Sequence, residues 1–327
     1  MSTVLHTPDE RFANLPGFDF APHYRDAPEP FPGVRLHYLD EPPSVAGDSE
    51  SAPAPRGTML CLHGHPTWCY LYRRMVPILT ARGYRVVAPD LPGFGRSDKP
   101  AAEDAYTYAA LRQTLIAFIE ALDLTDVTLV MHDWGAVLGL TLPMVMPERV
   151  SGLVVMNTTL PTGDKRLPDG VLGWRTFNDD NPDLNIPALM AKANRILSIG
   201  ECRAYGAPFA DATFKAGVRA LPRLIAQAMD DPAAETARAA RRFLAEEWQG
   251  ASHMVVGARD PLHSHAIMRH LHRFVRGCPP ETFLFHAGHF VPEWGDEFAG
   301  PVLDSLEAQQ IAKARAAAEA AEPDAPG

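Results

Sequence analysis

Short apolar runs of strand length alternate along the chain with longer stretches in which apolar residues return every three or four positions. Seven runs predict strands, at 34–39, 58–62, 84–88, 127–131, 152–156, 253–257 and 282–286. Most of the later ones are apolar almost without a break, as in Val127-Thr-Leu-Val-Met131 and Gly152-Leu-Val-Val-Met156. Strands covered on both faces of a parallel sheet have that pattern. Helical spacing marks 70–82, 107–123, 135–147, 234–248, 263–275 and 296–311. Strand followed by helix, repeated, predicts an α/β fold with helices on both faces of a mostly parallel sheet.

Three stretches break the rhythm. Residues 42–57 are rich in Pro, Ser and Ala with no apolar period, and read as a surface loop. Residues 161–232 hold no convincing strand, with helical patterns near 187–198 and 215–228. An insertion of that length between two strands predicts a helical cap over the carboxyl edge of the sheet, leaving 1–160 and 233–311 as the core. The tail, 312–327, is rich in Ala, Glu and Pro and is expected to be disordered. No internal repeat is visible.

Composition narrows the function classes. Of 327 residues, 46% are hydrophobic and 21% charged, ordinary for a globular chain and unlike a disordered or fibrous one. The formal net charge of −10 has the wrong sign for a non-specific nucleic-acid or anionic-membrane binder. No apolar run approaches the ~20 residues needed to cross a bilayer, and the polar N-terminus does not read as a signal peptide. Cys61, Cys69, Cys202 and Cys278 have no paired spacing, so reduced thiols in a bacterial-type cytoplasm are expected.

Chemistry concentrates where strands end. Strand 127–131 runs through His132 into Asp133-Trp-Gly135-Ala-Val-Leu-Gly139. A sharp strand–turn–helix with small residues behind it lifts one side chain above the sheet, as the serine of GxSxG does in serine hydrolases. Here the apex is Asp133, and Met131 stands where the first glycine would be. An aspartate at this point is equally suited to capping the helix. Two further strands favour chemistry over capping: 253–257 leads to Asp260, and 282–286 leads to His289 beside Gly288. Nucleophile, acid, histidine is the chain order of the α/β-hydrolase triad, and open α/β sheets build sites at the carboxyl ends of their strands.

A fourth turn, His63-Gly64-His65-Pro66, follows strand 58–62. There the N–H of His65, with that of Trp134, is placed to form an oxyanion hole. The His63-x-His65 pair has no partner at metal-ligand spacing, and no metal is expected. Asp90-Leu-Pro-Gly93-Phe-Gly95-Arg-Ser-Asp98 lacks GxGxxG and reads as a surface loop near the site mouth. His263, His265, His270 and His272 read as a solvated helix face.

Together these residues resemble the haloalkane dehalogenases. The resemblance is carried by HGHPTWCYLYRRM (63–75), APDLPGFGRSDKP (88–100), MHDWGAVLGLTLPM (131–144), Trp174-Arg-Thr-Phe177 and AGHFVPEW (287–294), and extends from TPDERF (7–12) to about residue 305. It implies the α/β-hydrolase fold and the subclass whose catalytic acid follows the later strand, at Asp260. In another subclass the acid lies one strand earlier, where this chain has Asn157, which cannot ionise. That subclass also binds halide through an asparagine in the HGxP turn, where this chain has His65. The resemblance implies Asp133 as nucleophile, His289 as base, Trp134 and Trp174 as halide-binding donors, and no cofactor. It depends on a small halogenated hydrocarbon and water as partners, with no nucleic acid or membrane, and a cytoplasmic monomer is expected. The chain departs from the family pattern at His65, where Glu or Gln is usual, and at Ala136, where glycine is usual.

Three other readings share some of these features. An epoxide hydrolase uses the same aspartate, turn and histidine but protonates an alkoxide through cap tyrosines, and Tyr205 is the one clear tyrosine in 161–232. A haloacid dehalogenase wants cations for a carboxylate, for which Arg175 and Arg195 are available. A non-catalytic ligand-binding module on a hydrolase scaffold is the third, since fold alone does not imply activity.

Overall fold

The computed structural model describes residues 3–44 and 55–321, so most of the loop expected at 42–57 and the last six residues of the tail lie outside the described residues. Eight strands form one sheet: β1 (His23–Asp26), β2 (Arg35–Glu41), β3 (Thr58–Leu62), β4 (Arg85–Pro89), β5 (Val127–His132), β6 (Val150–Met156), β7 (Ala251–Gly257) and β8 (Thr282–Leu284). Their spatial order is β8-β7-β6-β5-β3-β4-β2-β1, parallel from β8 to β4, with β2 and β1 antiparallel at one edge. All seven strands expected from the apolar runs are present. The eighth, His-Tyr-Arg-Asp, is an edge strand without a buried face, so no apolar alternation marks it. A two-residue pairing of Val4–Leu5 with Lys99–Pro100 is likewise too short to read.

β5, at the centre, is buried at all six positions, which is why its sequence is almost uninterrupted hydrocarbon. Around the sheet pack α1 (Val76–Ala81), α2 (Tyr108–Ala121) and α3 (Trp134–Gly139). The helical stretch expected at 135–147 ends early, because Pro143 has no N–H to continue the ladder. Between β6 and β7 run α4 (Asp169–Asp180), α5 (Ile186–Ala193), α6 (Ile199–Gly206), α7 (Ala216–Ala220) and α8 (Pro232–Glu246). No strand falls in this interval. α8 packs beside α2 and buries Ala233, Ala237, Ala240 and Leu244, spaced by three or four.

After β7 come α9 (His265–His272) and, after β8, α10 (Gly295–Ala321). α10 departs from the expectation of a disordered tail over part of 312–327: it continues through 312–321, exposed over 312–320, while 322–327 lie outside the described residues. Ala, Glu, Lys and Arg are strong helix formers, so the composition that looked like a disordered tail equally suits a solvated helix. Lys313 Nζ ties it down by donating to the carbonyls of Gln249 and Gly250 at 2.5 and 2.7 Å. The Asp90–Asp98 loop also departs from expectation. Leu91, Phe94 and Ser97 are buried, and Phe94 packs against His63, His65 and Phe209. It is a buried wedge, not a surface loop.

Candidate active site

β5 passes into α3 without a spacer, and the residue at the join is Asp133, with φ 48° and ψ −117°. A non-glycine residue held there costs on the order of 1–3 kcal/mol, a cost that surrounding structure must impose. Part of that structure is the close approach of α3 to β3, where a Cβ on Gly135 would lie 2.0 Å from the carbonyl oxygen of Leu62. Asp133 does occupy the helix N-cap position, yet its side chain makes no capping hydrogen bond. The carboxylate faces a cavity instead, and Oδ2 accepts the N–H of His65 at 2.8 Å. The backbone carbonyl of Asp133 is held by the N–H of Ala136 and the hydroxyl of Thr158, both at 2.9 Å.

His289 stands beside Asp133, with Nε2 3.9 Å from Oδ1. Its Nδ1 donates to Asp260 Oδ2 at 2.9 Å. Asp260 also accepts from the amide of Asn157 at 2.6 Å and from the N–H of Leu262 at 2.7 Å. Thus the position that the other subclass reserves for its acid here supplies a donor to the acid. Asn157 is itself fixed, its amide oxygen accepting the N–H of Gly257 at 2.7 Å.

Electrostatics follow from these contacts. Burial pushes the Asp260 carboxyl up, but His289, His263 and the donors outweigh it, and its pKa falls well below the usual range. For Asp133, burial is likewise outweighed by His289, His132, His263 and the His65 N–H, so it stays ionised. Burial lowers the His289 pKa, while Asp260 and Asp133 together raise it above its ordinary value. His65 and His132 go the other way: burial pushes them to about 4 and about 3, so both rings are neutral at pH 7. The His65 departure therefore adds no charge beside Asp133. Its ring bonds Val218 O of α7 at 2.8 Å and meets Trp174 edge to face.

The cavity has a volume of about 610 Å³ and is lined mainly by apolar side chains. Asp133, Trp134, Trp174, His289 and His65 all face it, so the sequence-derived site residues except the buried Asp260 meet in one space. Trp68 and Trp248 give their indole N–H groups to protein acceptors. Trp134 and Trp174 have no such acceptor among the described residues. No tyrosine lines the cavity. Tyr205 is turned away, donating its hydroxyl to Glu293.

His263 corrects the reading of a solvated face: it is 2% exposed, precedes α9 and lines the cavity. His265, His270 and His272 are half-buried and bonded to Glu281, Lys165 and the carbonyl of Pro279. Only the apolar cavity wall around 263, a tertiary feature, separates the first from the others.

Two groups of potential metal ligands occur among the described residues, His37–Cys69–Asp90 and Asp133–His263–His289. In the first, Asp90 is already taken up by His37 and the N–H groups of Cys69 and Arg96, at 2.7 to 2.8 Å. His63 and His65 face different partners, the N–H of Leu91 and the carbonyl of Val218.

A carboxylate on a sharp strand–helix bend, a histidine and a second acid after later strands, and a helical insertion above them define an alpha/beta hydrolase, and residues 57–296 match the family model of that fold. Curated relatives narrow the class. A haloalkane dehalogenase of Psychrobacter cryohalolentis is 39% identical over 89% of this chain and 93% of its own length. One of Mycolicibacterium paratuberculosis is 39% identical over 93% and 99%. Among solved structures, the tetrameric haloalkane dehalogenase DpaA of Paraglaciecola agarilytica superposes with a TM-score of 0.86 at 41% identity, over 93% of this chain and 98% of that one. The chain belongs to the haloalkane dehalogenases, hydrolases acting on carbon–halide bonds.

Proposed function

We propose that the protein hydrolyses small haloalkanes to a primary alcohol, halide and a proton, through an alkyl ester on Asp133. Asp133 attacks the halogen-bearing carbon, the C–O bond forms as the C–X bond breaks, and the halide leaves with the bonding pair. His289 then takes a proton from water, whose oxygen adds to the ester carbonyl carbon. The oxyanion is held by the N–H groups of His65 and Trp134. Collapse expels the alkoxide, which takes the water's second proton and leaves Asp133 a carboxylate, while His289 returns the first proton to solvent. Asp260 orients the imidazole and stabilises its charged form.

The observation that carries this reading is that Trp134 and Trp174 both line the cavity of Asp133, with no protein acceptor for either indole N–H among the described residues. A carbon-bound halogen accepts hydrogen bonds poorly and a departing halide accepts them well, so donors placed there favour the transition state over the ground state. Epoxide opening would need a cavity-facing acid for the alkoxide, and Tyr205, the tyrosine available for it, is engaged with Glu293. The core and cap division at 161 and 232 belongs to the same proposal, with 161–232 roofing the site. So do cytoplasmic location, which fits four free cysteines, and a monomer. The tetramer described for DpaA makes a light-scattering mass measurement the direct check on the monomer. No helix among the described residues is long and apolar enough to cross a membrane.

The test is halide release from 1-bromobutane or 1,2-dibromoethane, with styrene oxide as control. Asp133→Asn is expected to abolish release. His289→Phe is expected to release one halide per protein and retain the alkyl group as added mass on Asp133. Full turnover by Asp133→Asn, or hydrolysis of the epoxide alone, would overturn the reading.

A further inference from the structure

We propose that His263 is a second anchor for the hydrolytic water, holding it with His289 over the carbonyl carbon of the Asp133 ester. The inference rests on the reaction proposed above and adds a catalytic residue to it.

His263 is buried against the cavity, and neither ring nitrogen has a hydrogen-bond partner in the protein. Its nearest charged neighbour, Asp260 Oδ2, is 3.7 Å from Nδ1, too far for a hydrogen bond. Buried polar atoms are rarely left unpaired, and where a polar site has room the partner is water. Two other polar groups converge on the same place. One ring nitrogen of His263, one of His289 and one carboxylate oxygen of Asp133 all lie within 4.8 Å of one another. Three points so spaced can each sit about 2.8 Å from a single central atom, an ordinary hydrogen-bond length.

The same three groups resemble a metal-ligand set, and distance decides between the occupants. Bonds of about 2.0–2.1 Å to zinc would bring neighbouring ligand atoms to about 3.4 Å, whereas His289 Nε2 and Asp133 Oδ1 are 3.9 Å apart. The spacing suits a water.

Burial keeps His263 neutral against the pull of Asp260, so its ring carries one lone-pair nitrogen. A water that gives one O–H to His289 and the other to His263 turns a lone pair toward the ester carbon. His289 remains the group that takes the proton, and His263 restricts the water to the attacking orientation. His63, His65 and His132 differ, since each has at least one ring nitrogen bonded within the protein.

Alkylation of Asp133 needs no water, and hydrolysis does. The experiment is a single-turnover reaction with 1-bromobutane, following bromide release by rapid quench and the butyl ester on Asp133 by intact-protein mass. In His263→Leu the halide burst is expected to stay within about two-fold of the natural protein, while ester decay slows by at least about ten-fold. His263→Gln, which keeps a hydrogen-bonding head, is expected to recover most of the decay rate. Ester decay unchanged in His263→Leu would overturn the proposal, and so would burst and decay falling by one common factor. Should the leucine variant not fold, His263→Phe provides the same comparison at ring size. Glutamine as slow as the apolar variants would also refute the water anchor. A natural protein that releases no halide refutes the underlying reaction, whereas normal turnover with indifferent His263 variants refutes only the anchor.

Discussion

At the scale of single residues, the proposed reaction requires His289 to act as a base at the moment Asp133 has lost its charge. Burial depresses the His289 pKa, and Asp260 and Asp133 raise it above the ordinary value. Esterification removes one of those two anions, so the imidazole sheds protons more readily when water has to be activated. The sign is testable without substrate. In Asp133→Asn, His289 should titrate at lower pH than in the natural protein, by nitrogen-15 NMR of the imidazole. An unchanged or raised midpoint would mean that the 3.9 Å separation is screened. Much of this site was legible in the sequence, because Asp133, Asp260 and His289 each follow a strand whose apolar run announces it. His263 was not legible. It differs from His265 only in what the folded chain places around it, and neighbouring positions on a polar stretch carry no trace of a cavity wall two elements away.

At the scale of elements, the β5–α3 bend depends on backbone-to-backbone contact, and its two glycines should differ in tolerance. A Cβ on Gly135 meets the carbonyl oxygen of Leu62 at 2.0 Å, an atom fixed in the β3 ladder. A Cβ on Gly139 meets Met131 Sδ at 2.4 Å, near the end of a flexible side chain that can move aside. Gly135→Ala is therefore expected to cost about 3 kcal/mol or more and to disturb the position of Asp133, and Gly139→Ala about 1 kcal/mol. Thermal unfolding of the two variants measures the order, and equal losses would contradict it. Elements with an apolar face were the ones readable in advance. β1 has none, and α4 keeps only Val171 and Asn178 fully buried in twelve residues, so periodicity had little to report. α10 was under-read for the opposite reason, since helix propensity persists there after the buried face has ended.

At the scale of the whole molecule, the insertion must be held to the core without closing the cavity it helps to line, and a buried charge cluster supplies one attachment. Arg73, after the turn that follows His65, forms a bidentate pair with Glu293 at 2.7 and 2.8 Å and reaches Glu201 of α6 at 2.7 Å. Glu293 lies four residues beyond His289 and also receives the hydroxyl of Tyr205 from α6. One ionic cluster therefore joins the segment after the His65 turn, the chain that follows His289 and a helix of the insertion. Arg73 is 4% exposed and Glu293 not at all, so each charge has been taken out of water. Removing one partner from such a pair typically costs about 3–5 kcal/mol because the other is left buried and unpaired, whereas removing both is often far milder. Glu293→Leu and Arg73→Met should accordingly each lower the unfolding free energy by several kcal/mol, and the double variant should recover part of that loss. A chemical-denaturation double-mutant cycle measures the coupling. Strictly additive losses would mean that Glu201, Tyr205 and Arg74, whose Nε lies 3.4 Å from Glu293 Oε2, satisfy the survivors. The insertion would then be held by its apolar underside, without help from this cluster.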